Sequence, residues 1–177
     1  MFKVGDLVVY GGEGVCRVEA VGTLPLTDIK SDKLYYTLVP LYRSGRTFAP
    51  VDGKVLIRPI LTRAEAEALI RSIPQVEEDE RCPKGARVLS EHYQQLLQSY
   101  DCGDLVQLIK TIYVKQQEAQ AAGRRFGQVD ERYRKRAEEM LHGELAASLG
   151  IPKEAVAEYI RRVLEGDASE EAEEERP

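Results

Sequence analysis

Three glycines within four residues, Gly11, Gly12 and Gly14 of "GGEG", are the first in the chain whose type and spacing could do chemistry. Bare backbone N–H groups in a glycine-rich loop can cradle a phosphate. The spacing is not that of a dinucleotide fingerprint, however, and no Lys-Ser/Thr pair follows as in a P-loop. Between "FKVGDLVVY" and "VCRVEAV" the glycines read instead as a turn supplying positive φ between two strands. Only His92 and His142 could serve as imidazole bases, the carboxylates are scattered, and no nucleophile sits in a recognisable elbow. No constellation for acid–base or covalent catalysis emerges, so the chain reads as a protein without enzymatic activity. Cys16, Cys82 and Cys102 are odd in number, widely spaced and free of any CxxC pair. That pattern argues against a disulfide framework or a zinc site and implies a reduced compartment, with no metal and no cofactor.

The bulk of the chain is that of a globular protein: 177 residues, 43% hydrophobic and 31% charged, enough for one domain or two small ones. No run approaches the roughly 20 apolar residues that span a bilayer, and no basic-then-apolar leader opens the chain, so a cytoplasmic location without membrane contact is expected. The formal net charge of -5 is unevenly spread. Residues 63–80 carry two Lys/Arg against six Asp/Glu, and residues 167–177 one against six, whereas residues 1–62 carry eight against six and residues 81–166 fourteen against twelve. The acidity sits in "VEEDE" and in the tail "DASEEAEEERP", leaving room for a basic patch on the body.

The elements that position these residues fall into two kinds. In "GVCRVEAV" Cys16, Val18 and Ala20 alternate with Arg17 and Glu19, the period of a half-buried strand. "KLYYTLVPLY" and "RTFAPV" flank the turn "RSG", and "KVLIRPI" supplies a fifth strand. Five short strands in sixty residues predict a bent sheet or small barrel of the SH3 or Tudor kind over residues 1–60, small enough to leave an exposed edge. Thr62 and Glu65 then form a capping box before "AEAEALIRSI", whose Ala66, Leu69, Ile70 and Ile73 share a face until Pro74 ends the helix. Residues 61–80 thus read as a helix and an acidic connector. Helices are expected near 86–100, 104–122, 129–148 and 152–165, with Pro152 in the first turn of the last, so residues 81–166 form an all-α domain. Residues 167–177 have almost nothing to bury and are expected to be disordered. The fold class is α+β.

The wording of "FKVGDLVVY", "EGVCRVEAV", "LYYTLVPL", "TFAPVD" and "IRP" resembles the CarD/CdnL family of bacterial RNA polymerase-binding transcription regulators. The second half agrees, since "CGDLVQLIKTIYVKQQEA" and "RYRKRAEEMLHGELAASLG" look like that family's helical domain. The first half alone also resembles a module of the transcription-repair coupling factor. The resemblance implies a protein that is not an enzyme, with a Tudor-like domain adding its sheet to the RNA polymerase β subunit. It implies a helical domain touching promoter DNA in the minor groove at the upstream fork, without sequence specificity, and so stabilising the open complex. It further implies a monomer associated with the nucleoid through the polymerase. Edge pairing suits the first domain, and Arg46, Phe48 and Pro50 of "RTFAPV" are the polymerase-binding candidates. Whether Phe48 faces a partner or the core stays open.

Relatives can wedge a tryptophan at the edge of the DNA bubble, but this chain has none, and the position in "IKTIYVK" aligned with it is Tyr113. Leu105, Leu108, Ile109 and Ile112 define a buried stripe, with Tyr113 at its boundary beside Lys110 and Gln117. A tyrosine packed on a neighbouring helix is the alternative. Phosphate contacts are expected from Lys110, Lys115, Arg124 and Arg125, while the run "RYRKR" at 132–136 reads mostly as a solvated face. The competing function is an RNA polymerase-binding adaptor without DNA contact.

Overall fold

The structure is a computed structural model describing residues 1–24 and 32–174, with side chains to residue 166. The chain divides into two compact units, residues 1–60 and 61–177. It belongs to the α+β class, an antiparallel five-stranded sheet followed by five helices.

In the first unit, β1 (Leu7–Tyr10), β2 (Gly14–Gly22), β3 (Tyr35–Pro40), β4 (Thr47–Pro50) and β5 (Ile57–Pro59) lie in the order β4-β3-β2-β1-β5. The opening glycines make a single 3-10 turn, Gly11–Glu13, between β1 and β2. Gly11 and Gly14 hold φ of 43° and 75°, a region that costs an L side chain energy and glycine none. Val8, Cys16, Val18, Tyr36, Leu38 and Ala49 make the core. Alternation in β2 holds through Val18 and then breaks: Val18 pairs with Leu38 but Ala20 pairs with Thr37, leaving Glu19 as the extra residue of a bulge. Ala20 is therefore exposed, against the expectation that it shares the buried face, and Val21 packs on the core in its place.

In the second unit, α1 (Arg63–Ser72) carries the capping box: the Thr62 hydroxyl accepts from Glu65 N–H and the Glu65 carboxylate from Thr62 N–H. Then follow α2 (Ala86–Gln98), α3 (Cys102–Ala121), α4 (Gln128–Leu149) and α5 (Val156–Glu174). Asp101 caps α3 by accepting from Gly103 and Asp104 N–H, and Gly150 closes α4 in the left-handed conformation. Ala66 and Ile70 of α1 are fully buried in the same cluster as Tyr93, Leu105, Leu108 and Leu145. Residues 61–72, the helix expected ahead of the acidic connector, are thus built into the helical unit. Buried Glu144 fixes that entry, its two oxygens accepting from Leu61 N–H at 3.0 Å and from the Cys102 thiol at 3.1 Å. The segment read as a disordered tail continues α5 to Glu174, while residues 175–177 lie outside the described residues. Runs of Glu and Ala favour helix by intrinsic propensity.

Candidate polymerase and nucleic-acid interfaces

β4 is an edge strand. Val51 N–H donates to Leu34 C=O, and the register pairs Ala49 with Tyr36 and Thr47 with Leu38. In an antiparallel ladder hydrogen-bonded pairs alternate with non-bonded ones. The N–H and C=O of Phe48, opposite Thr37, therefore point away from β3 toward the open edge. Phe48 is 43% exposed, whereas Ala49 beside it is buried, so Phe48 is a surface residue and not core. Pro50 has no N–H to offer and its carbonyl accepts from Gly53 N–H, so the strand's pairing capacity stops there. Arg46, at the other end, is held in a two-point ion pair with Glu19, Nε to Oε2 at 2.7 Å and Nη2 to Oε1 at 3.1 Å. The bulge supplies that glutamate. Phe48 thus lies on the edge strand between a neutralised arginine and a proline, its backbone toward the open edge.

On α3, Tyr113 is 56% exposed. Val106 precedes it by seven residues, about two turns on nearly the same face, yet is only 4% exposed. The cover over this face ends between them and leaves a lone aromatic where the packed surface stops. The lysines expected to help it are engaged elsewhere. Lys110, about 60° round the helix from Tyr113, donates through Nζ to the carbonyls of Ile73 (3.2 Å) and Pro74 (2.9 Å), closing the end of α1. Lys115 does not share the Tyr113 edge: two residues on, it sits about 200° away, donating to Asp130 Oδ1 at 2.7 Å and to the Tyr93 hydroxyl at 3.1 Å. The Tyr93 hydroxyl also donates to Asp130 Oδ1 at 2.7 Å, and Cys82 Sγ lies 3.4 Å from it. Burial, reinforced by its bonds to Cys82 and Asp130, drives the Tyr93 phenol well above the ordinary tyrosine range, so it stays neutral. Sequence reasoning missed this buried Lys-Asp-Tyr group, because its members come from three helices and share no spacing. Arg124 and Arg125, by contrast, are exposed just past Gly123, whose φ of 65° ends α3.

The acidic connector is fastened by α3 and α2. The Gln107 amide donates to Glu77 C=O at 3.3 Å, the Thr111 hydroxyl accepts from Asp79 N–H at 2.8 Å, and His92 Nε2 lies 2.6 Å from Asp79 Oδ2. Burial opposes ionisation of Asp79, but the bonds from His92 and from Arg81 N–H outweigh it and hold the carboxyl below the usual aspartate range. Burial, with a smaller push from Glu13, raises the Cys16 thiol to about 11, which keeps it protonated and unreactive. Among the described residues no group of His, Cys, Asp and Glu is arranged to hold a metal ion, and no helix is long and apolar enough to cross a membrane. A depression beside the start of α4 is lined by Phe126, Gly127, Gln128, Glu131, Arg132 and Lys135, but Glu131 and Lys135 pair with each other across 3.3 Å instead of converging on a ligand.

No curated protein matches the chain. Residues 2–61, which are the sheet unit without Met1 and the first residue beyond it, match the family model of the CarD-like/TRCF RID domain. Over residues 2–61 the chain thus carries a domain of the CarD-like/TRCF RID type, consistent with the CarD-like family that the sequence resembles.

Proposed function

We propose that this protein is a transcription regulator that pairs the β4 edge with the RNA polymerase β subunit and steadies the promoter open complex through contacts of the helical unit with upstream-fork DNA. Its work is binding, with no chemical step. The observation that carries the DNA half is Tyr113, an aromatic left exposed where the cover over its helix face ends. A ring in that position can stack against an opened base step without first breaking internal contacts. The docking half is supported by the matched domain and by the outward N–H and C=O of Phe48. Arg124 and Arg125 serve as phosphate contacts in this reading. Lys110 can join them only by releasing the carbonyls of Ile73 and Pro74, and Lys115 is assigned to the helical core.

The test is open-complex lifetime after competitor challenge with cognate polymerase. Base–aromatic stacking is worth about 1–3 kcal/mol, so Tyr113→Ala should shorten the lifetime several-fold to about 100-fold while polymerase binding is unchanged. Tyr113→Trp should match or exceed the native protein. A folded Tyr113→Ala variant with native lifetime would leave the adaptor, docking on polymerase without touching DNA, as the better account.

A further inference from the structure

The run "RYRKR" separates in the structure into cations that are spent and cations that are spare. Arg134 is bound to Glu131 and Glu138, each at 2.9 Å, and Lys135 to Glu131 at 3.3 Å. Arg132 and Arg136 have no carboxylate partner among the described residues. Both are exposed, one turn apart on α4, about 6 Å along the axis. Neutral groups of α2 hold them: Arg132 Nη2 donates to Ser90 Oγ at 3.2 Å, and Arg136 Nη1 to Gln94 Oε1 at 3.3 Å. Each guanidinium also lies over the Tyr133 ring, with carbon-to-centroid distances of 5.1 and 5.9 Å. Tyr133 is buried, and its hydroxyl is 2.9 Å from the same Ser90 Oγ. Two full positive charges are thus seated on a rigid platform by contacts that neutralise neither.

We propose that Arg132 and Arg136 form a phosphate clamp for the backbone of double-stranded DNA, a second contact separate from Tyr113 and resting on the DNA-binding reading above. A planar guanidinium held in place loses little side-chain freedom when it binds a phosphate, and its fork can donate to two oxygens at once. The site lies open on the seam of two helices, not in an enclosed cavity, which suits a continuous polyanion better than a small ligand. Nothing in it reads a base, so it adds affinity and position without sequence preference.

Fluorescence anisotropy of the full-length protein with a short labelled mixed-sequence duplex, titrated across salt, tests this. Each neutralised phosphate contributes about 0.9 to the slope of log K against log salt. R132Q/R136Q should therefore flatten the slope by about 1.8, so that between about 50 and 200 mM salt the native protein loses about 12-fold more affinity than the variant. R132K/R136K, which keeps both charges, should retain the native slope, and circular dichroism reports whether each variant is folded. K135Q removes a paired charge from the same helix and should leave the slope near native. A native slope in folded R132Q/R136Q, or an equal flattening per residue in K135Q, would overturn the clamp, the second because net charge alone would then explain the effect. Y113A should keep the native slope. Native protein that leaves the duplex unbound throughout would end the DNA reading and the clamp together, whereas native binding with an unchanged double variant ends the clamp alone.

Discussion

Lys115 and Arg132 are both cations on helices of the second unit, and their surroundings give them opposite uses. The Asp130 side chain beside Lys115 is 10% exposed and Lys115 itself 31%, so the pair is largely withdrawn from water. Breaking such a pair leaves a charge stranded, at about 3–5 kcal/mol when both partners are buried. Lys115→Met should cost somewhat less, about 2–3 kcal/mol, because the lysine retains some solvent. Chemical denaturation of the helical unit checks this, and DNA affinity of the folded fraction should be unchanged. Tyr93 would lose a donor at its hydroxyl in the same variant, so Lys115→Met and Tyr93→Phe should not be additive. Arg132 rests instead on a buried ring and a serine, which orient it and leave its charge available.

Strand and helix geometry decides which of those residues meet a partner. Hydrogen-bond alternation turns the backbone of Phe48 outward on β4, and the pleat puts its ring on the exposed face. An aromatic anchor at the centre of an interface contributes at least about 2 kcal/mol, so Phe48→Asp should weaken binding to the polymerase β lobe by roughly 30-fold or more. The expected circular dichroism spectrum is native, since no core contact is removed. Unchanged affinity would place the docking surface off the β4 edge. The bulge at Glu19 is a device of the same scale. It ends the simple alternation of β2 and at the same time brings a carboxylate to Arg46, neutralising a charge beside the edge.

Across the whole molecule, the excess of negative charge is concentrated in residues 63–80 and 167–177. The connector carboxylates follow α1, and the second acidic run extends α5. Among the described residues, those of α5 that pack on the helical core, Val156, Tyr159, Ile160, Val163 and Leu164, precede Gly166. Truncation after Gly166 should therefore shift the thermal midpoint of the helical unit by no more than about 3 °C, the effect of about half a kcal/mol on a unit of this size. A larger drop, followed by ellipticity at the helical band, would mean that residues beyond Gly166 dock on the body.

The sequence by itself determined whatever depends on neighbours a few residues apart. Alternation over Cys16 and Val18, the Thr62–Glu65 box and the apolar stripe through Leu105, Leu108 and Ile112 are short-range patterns, and each reappears in the fold. The charged and aromatic side chains were legible only as candidates. Tyr113 stands exposed where the stripe ends, but the stripe alone could not say where its cover stops. Lys110, Lys115, Arg132 and Arg136 look alike as letters. Their hydrogen-bond partners lie 36 or 37, 15 or 22, and 42 residues away, and only the packing of α1, α2 and α4 decides which cation is bound to protein and which is left for something else. Long side chains with many rotamers take their final direction from the nearest opposite charge or ring in space, a quantity that tertiary contacts create and that local periodicity does not encode.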